Sequence, residues 1–270
     1  MKDSDSYLME SNEEAYRLDI KTDRDAVIQQ ARWCGIGPGA RVLDGGCGAG
    51  ITTSIIHELI QPDGEIIGID YAENRIQYAQ EHYGNKKGIE FRLMDLRNPL
   101  DELGKFDFVW IRFVLEYYLH GAIDIVNNVV SCLKQDGYLC LLDLDHNCLN
   151  HYPLPDKMET ILYKIMDKME KVFNFDAFVG RKLYSYMFGQ KFSDIKLHLM
   201  AHHLIYGDVV SSDMFNWIKK FQMACSKSMD LFEDYPGGYE AFFDDFNDFF
   251  NNPRRFTYTP LILCKGKKPA

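Results

Sequence analysis

The sequence predicts an α/β protein, a doubly wound and mostly parallel sheet with helices on both faces. Two observations predict it. Short apolar runs alternate with segments of helical periodicity between residues 41 and 145, and one strand-to-helix junction, "VLDGGCGAG" at 42–50, is built on closely spaced glycines. Strands that alternate with helices run parallel through crossover connections, and a parallel sheet buries both faces. A chain of 270 residues that is 46% hydrophobic can supply such a core.

The elements follow in order. "NEEAYRLDI" (12–20) has a helical pattern, and "TDRDAVIQQARWCG" reads as a helix with Thr22 as N-cap and Gly35 as its stop. "RVLD" is the first buried strand, "ITTSIIHELIQ" the helix after the glycines, "EIIGID" the second strand and "AENRIQYAQEHYG" the second crossover helix. "IEFRLMD", "FDFVWIR" and "GYLCLLDLD" are further buried strands, with "AIDIVNNVVSCLKQDG" as the helix before the last of them.

Beyond about residue 147 the texture changes. "PDKMETILYKIMDKMEKVF" sets Met158, Ile161, Leu162, Ile165, Met166, Met169 and Val172 on one helical face, and "DAFVGRKLYSYMFGQ" is a second helical segment. "FSDIKLHLMAHHLIYG" reads as a strand, residues 212–251 as a polar and aromatic helical stretch, and "RRFTYTPLILCKGKK" as β-rich, with Pro260 marking an edge or a bulge. The expected organisation is an N-terminal helical cap (1–34) and one domain (35–270) with helical lid insertions at about 153–191 and 211–252. Met and aromatic residues there suit either a lid over an apolar ligand or plain helix packing.

Composition narrows the function. Thirty Lys and Arg against 40 Asp and Glu give a net charge of −10 with no local basic cluster, so a nucleic-acid partner is not expected. No apolar run reaches the roughly 20 residues that span a bilayer, and "MKDSDSYLMESNEEAYRLD" is acidic where a secretory signal is basic and then apolar. A protein without a membrane segment, in the cytoplasm, is the expectation. The seven cysteines form no CxxC pair and no zinc-finger spacing, which predicts reduced thiols and no metal site.

Gly46, Gly48 and Gly50 follow a strand and precede a helix, where glycine lets the backbone approach a ligand. A dinucleotide fingerprint fails because Ile51 stands where GxGxxG needs its last glycine, and a Walker loop fails because no GK[ST] follows. Asp44 at the strand end would repel a pyrophosphate but can orient loop amides or attract a cation. An NAD-dependent reductase is thereby disfavoured.

Asp44-Gly45-Gly46-Cys47-Gly48-Ala49-Gly50 resembles the first motif, D-x-G-x-G-x-G, of class I S-adenosylmethionine-dependent methyltransferases. Three further motifs agree in order and spacing: "IIGIDYAENRI", "FRLMDL" and "FDFVWIRFVLEYY", followed by "LKQDGYLCLLDLD" as the run into strand five. The resemblance covers about residues 35–147 and implies a seven-stranded Rossmann-like methyltransferase fold with S-adenosyl-L-methionine as cofactor. It implies Asp70 on the two ribose hydroxyls, Asp95 and the Leu96 amide on adenine, and the backbone at Ile111 and Arg112 along the methionine portion. Tyr71 and Arg75 flank adenine in this reading, although Arg75 reads equally as a solvated helix-face residue. Arg17 reads as a clamp on the amino-acid carboxylate or as a surface partner of Glu13 or Glu14, with Tyr7 a weaker candidate for the same cap. Gly45 replaces a commoner bulky or polar residue, and Cys47 reads as a space-filling residue or a reactive thiol.

The implied activity is transfer of a methyl group to an O, N or C atom of a small, partly apolar organic acceptor. The alternative is a cofactor-binding sensor or partner protein without transferase activity. Arg112, Glu116, Tyr117, Asp143, Asp145, His146, His202 and His203 lie near strand ends, but no diagnostic pair singles out a catalytic base among them.

Overall fold

The computed structural model describes residues 22–268, so the helix expected at 12–20, Tyr7 and Arg17 lie outside the described residues. In chain order the elements are α1 (Arg24–Cys34), β1 (Arg41–Gly45), α2 (Ile51–Ile60), β2 (Glu65–Asp70), α3 (Glu73–Tyr83), β3 (Ile89–Leu93) and β4 (Phe106–Arg112). There follow α4 (Ala122–Ser131), β5 (Leu133–Leu144), β6 (His151–Tyr152), α5 (Asp156–Phe173), α6 (Leu183–Gly189) and β7 (Ser193–Tyr206). The chain ends with α7 (Ser211–Ser226), α8 (Gly238–Asn251) and β8 (Phe256–Lys267).

The strands form one sheet of order β3-β2-β1-β4-β5-β8-β6, with β7 on β8. The pairs among β1 to β5 are parallel, and β8 runs antiparallel to β5, β6 and β7. This is the expected doubly wound architecture with an eighth strand added. The addition is β6, whose two residues are too few to carry a readable period of two. The strand order reverses between β1 and β4, which opens a crevice at their carboxyl ends.

Alternate residues along each strand feed opposite faces. Leu43, Ile111 and Leu141 face α4 and α6, where Val126, Val129, Leu183 and Met187 cover them. Val42, Trp110 and Leu142 face α1, α2 and α3, where Val27, Ala31, Ile55 and Ile76 cover them. A third cluster joins α5, α7 and α8 through Ile161, Ile165, Trp217, Phe221, Phe242 and Phe246.

Several local expectations need correction. The N-cap of α1 is Asp23 and not Thr22, because the Asp23 carboxylate is the group that accepts the Ala26 amide, at 3.1 Å. Helix α1, expected within an N-terminal cap, packs in the sheet core through Val27, Ala31 and Cys34. Of the segment 153–191, α5 joins the third cluster, whereas Val179, Leu183 and Met187 pack on the sheet. Gly180 permits this, since a Cβ there would lie 2.9 Å from the Leu144 carbonyl oxygen. Pro260 sits in a strand flanked on both sides, not at an edge; the bulge reading holds, because the β7 register shifts between Ala201 and His203, opposite Pro260. No described helix is long and apolar enough to cross a membrane.

Arg255 fastens the helical layer to the sheet. It is 1% exposed and donates Nε to the Phe250 carbonyl at 2.9 Å, Nη1 to Ile205 at 2.9 Å and Nη2 to Gly207 at 3.2 Å. Those carbonyls end α8 and β7, and a planar guanidinium can reach all three at once. Arg255→Ala strands buried carbonyls and is expected to lower unfolding free energy by about 3 kcal/mol, read by chemical denaturation. Arg255→Lys, which keeps the charge but loses the fork, is expected to recover less than half of that.

Candidate active site

The glycine loop turns immediately after β1. The amides of Gly46 and Cys47 both donate to the Ile69 carbonyl, at 2.8 and 2.9 Å, and the Gly48 amide donates to Asp70 Oδ2 at 3.0 Å. Asp70 Oδ1 accepts the Ala72 amide at 3.0 Å, so this carboxylate pins the loop to the turn entering α3. Gly46 has φ of 74°, and a Cβ there would lie 2.4 Å from Val114 Cγ2. Only glycine meets both conditions. At Gly45 only space is at stake, since a Cβ there would lie 2.4 Å from Ile111 Cδ1 and that side-chain end would have to shift.

Beneath the loop lies a buried ionic cluster. Asp44 is 2% exposed and accepts Thr53 Oγ1 at 2.6 Å. Burial pushes its pKa up to about 7, opposed by the Thr53 hydroxyl and the Arg112 charge and assisted by Asp70. Burial likewise pulls Arg112 down to about 10, against the charges of Asp44, Asp143 and Asp23. Arg112 donates Nε to Gln30 Oε1 at 2.9 Å and covers the Phe113 ring at 4.1 Å.

Two clefts open at the switch point. The smaller, with about 410 Å³ of open space, has Asp70, Tyr71, Arg75, Met94 and Leu96 in its walls. The larger, of about 1400 Å³, shares Gly46, Arg75, Phe113 and Tyr117 with it and runs on beneath α5 and α7. Its roof is apolar, with Leu162, Ile165, Met166, Met169, Trp217 and Phe221, and its polar side chains include Glu116, Asn147 and His202. Each Asp70 oxygen takes one amide, and a carboxylate offers about four lone-pair sites, so each keeps capacity for a further donor.

The structure brings Gly46, Gly48, Asp70, Tyr71, Arg75, Leu96 and Arg112 to the cleft walls. Arg75 is a buried wall residue and not a solvated one. Asp44, Gly45, Gly50 and Ile111 are buried or packed behind the loop and line neither cleft. Asp95 lines neither; Arg97 grips its carboxylate, with Nη2 on Oδ2 at 2.7 Å and Nε on Oδ1 at 3.0 Å. An arginine two residues on is legible in "FRLMDLRN", but its grip depends on the turn after β3.

Of the polar strand-end candidates, Arg112, Glu116, Tyr117 and His202 reach the larger cleft. Asp143 accepts the Leu115 amide behind it, Asp145 pairs with Arg181 at 2.8 Å, His146 meets Phe178 edge-on and His203 packs on Trp217. Phe113, Val114, Tyr118 and Asn147 line the clefts without having been legible. Phe113 turns at φ of 58°, which a bulky residue rarely adopts and no sequence rule anticipates. Cys47 is in the wall, and burial, with the Asp44 and Asp70 charges, pushes its thiol well above the usual range, so it fills space and is not nucleophilic.

The Asp44 shift has a measurable sign. Folding holds a proton that the unfolded chain releases near its ordinary carboxyl pKa, so this group's contribution is complete below about pH 4 and lost as pH rises through about 7. Asp44→Asn removes the titration. Relative to the unsubstituted chain, its stability is expected to improve by roughly 2 to 3 kcal/mol between pH 5 and pH 8, measured by denaturant titration at both.

Comparison with known proteins agrees with this geometry. The methyltransferase domain family profile matches residues 36–192, more than half of the chain. Juvenile hormone acid O-methyltransferase of Drosophila melanogaster is 28% identical over 189 residues, 66% of this chain and 59% of that protein. The chain thus spans about three-fifths of that relative's length. Among solved structures, a proposed methyltransferase from Bacillus halodurans superposes with a TM-score of 0.62 at 15% identity, covering 91% of this chain and all of that one (100%). Haemonchus contortus phosphoethanolamine N-methyltransferase 2 in complex with S-adenosyl-L-methionine gives 0.58 at 12% identity, covering 96% of this chain and 58% of that one. With the strand order, the glycine loop and the Asp70 anchor in place, the chain belongs to the methyltransferase domain family, in the class I S-adenosylmethionine-dependent fold.

Proposed function

We propose that this protein transfers the methyl group of S-adenosyl-L-methionine to an O, N or C atom of a small, apolar organic acceptor. The observation that carries the reading is the pair of joined clefts, one built around Asp70 and the other roofed by apolar side chains. The residues present fit the cofactor. The remaining lone pairs of Asp70 match the vicinal hydroxyls of a ribose, and Tyr71, Met94 and Leu96 offer surfaces for a flat base. The loop suits a ligand without phosphate, because the amides of Gly46, Cys47 and Gly48 are already spent on Ile69 and Asp70.

In this reading Gly46, Gly48, Asp70, Tyr71, Arg75, Leu96 and Arg112 line the cofactor, while Asp44, Gly45, Gly50 and Ile111 support the loop from behind. Asp95 would have to exchange its partner Arg97 to take a base, and Arg17 is retained as the carboxylate clamp. The cofactor, once bound, supplies a methyl group already activated on a sulfonium, so the protein's task is to hold the acceptor in line and keep water out. Leu162, Ile165, Met169 and Phe221 in the roof of the larger cleft support that task and an apolar acceptor. Seven buried, unpaired thiols support a reducing compartment, the cytoplasm.

Titration calorimetry tests the reading. S-adenosylmethionine and its demethylated product are expected to bind and NAD is not; binding of NAD alone would overturn it. Asp70→Asn, which keeps one acceptor oxygen for the loop, is expected to weaken cofactor binding by roughly 10- to 100-fold through loss of charge-assisted hydrogen bonds. Unchanged affinity in that variant would remove Asp70 from the ribose.

A further inference from the structure

We propose that Glu116 is the proton acceptor of the reaction and that the methyl acceptor it serves is a lipophilic amine. The inference rests on the methyl-transfer reading and adds the acceptor's chemical class and the residue that prepares it.

Glu116 lies in the wall of the larger cleft and not of the smaller one, in the cavity that the apolar roof covers. It is 5% exposed, with Leu162, Ile165, Met169, Phe175, Trp217 and Phe221 around the same cavity. A carboxylate in such surroundings is costly unless hydrogen bonds or a cation compensate it. Asn147 donates Nδ2 to Glu116 Oε2 at 2.7 Å. Asn147 is itself held, its backbone amide on the Ala177 carbonyl at 3.0 Å and its Oδ1 facing the Cys148 thiol at 3.4 Å. The Glu116 side chain is therefore aimed, and one of its oxygens is fixed.

Asp143 stands directly behind, its Oδ2 accepting the amides of Leu115 at 2.9 Å and Glu116 at 3.3 Å. Burial first, and the Glu116 charge second, push the Asp143 carboxyl well above its ordinary range. A carboxylic acid entering beside Glu116 would set a second anion against it; of the cations in the same walls, Arg112 interacts with Asp44 and Asp143, and Arg75 is shared with the smaller cleft. An ammonium group would be drawn to Glu116, and Tyr117, Phe175, Trp217 and Phe221 bring aromatic rings to the same walls while the roof takes its alkyl portion.

An ammonium nitrogen has no lone pair and cannot attack. Passing one proton to a Glu116 oxygen uncovers that pair, which forms the new N–C bond as the S–C bond breaks with its electrons left on sulfur. Charge and atoms balance: Glu116 gains the proton, the acceptor gains the methyl group, and the sulfonium becomes a neutral thioether. Glu116 touches the reacting nitrogen in this scheme and is catalytic; Asn147 is a positioning residue. This acceptor class differs from the acid named in the Drosophila relative.

The test uses the full chain with S-adenosylmethionine and three probes of equal length: decylamine, decanol and decanoic acid. Methylation of decylamine is expected at a rate at least about tenfold above the other two. Glu116→Gln is expected to lower turnover of decylamine by about 100-fold or more, with cofactor affinity by calorimetry within about twofold. Preferred methylation of decanoic acid or decanol overturns the acceptor class, and turnover by Glu116→Gln within about threefold of the unsubstituted chain overturns the base. Should Glu116→Gln lose cofactor binding, the probe series on the unsubstituted chain decides. Cofactor binding with no methylation of any probe overturns this inference alone, whereas absence of cofactor binding overturns the methyl-transfer reading itself.

Discussion

The carboxylate of Asp70 takes an amide hydrogen bond on each oxygen, from Gly48 after β1 and from Ala72 before α3. This one buried anion sets the distance between two strand ends and fixes the path of the glycine loop. It is tolerated because it accepts the amides of Gly48 and of Ala72, the N-cap of α3, and a helix N-terminus favours negative charge. The Ile69 carbonyl holds the two preceding loop amides, so little of the loop's donor capacity is left over. A loop of the same glycine content with free amides would be a phosphate nest; here the protein's own acceptors have filled it.

The floor around that anchor is crowded with acids. Asp44, Asp70, Glu116 and Asp143 are all buried, Asp44 and Asp143 behind the clefts, and Arg75 and Arg112 are cations in the wall of the larger one. Removing so many charges from water is unfavourable, which is why Asp44 rises to about 7 and Asp143 rises too. With Asp44 and Asp143 driven toward their neutral forms, Asp70 and Glu116 are the acids that stand in the cleft walls, together with Arg75 and Arg112.

The roof follows a separate logic. Helices α5, α7 and α8 share an aromatic cluster of their own, in which Phe221 stacks on Phe246 at 3.9 Å, and Arg255 ties that cluster to the ends of β7 and α8. Because the roof is built apart from the sheet core, its side chains can shape the larger cleft without disturbing the glycine loop. The sheet is shared with many proteins of different activity, and specificity lies in what covers it.

The strands, the crossover helices and the loop were legible because each depends on local rules: apolar period, glycine at a strand end, and turn residues at helix stops. Seven strands were readable; β6 was not, because two residues carry no period. At the site, the sequence by itself determined the glycines, since close backbone approach leaves no other residue type at Gly46, whereas the loop amide expected at Asp44 goes to Asp70, and Asp44 takes the Thr53 hydroxyl. The tertiary structure decided what sequence spacing cannot hold. It turned Asp95 to Arg97, moved α6 from the roof to the sheet, and kinked Phe113 into the cleft. It also set Glu116 between Asn147 and Asp143, three residues brought together from β5, the loop beyond it and the turn after β4. Contacts between segments so far apart in the chain depend on packing and long-range hydrogen bonds, and no local pattern encodes them.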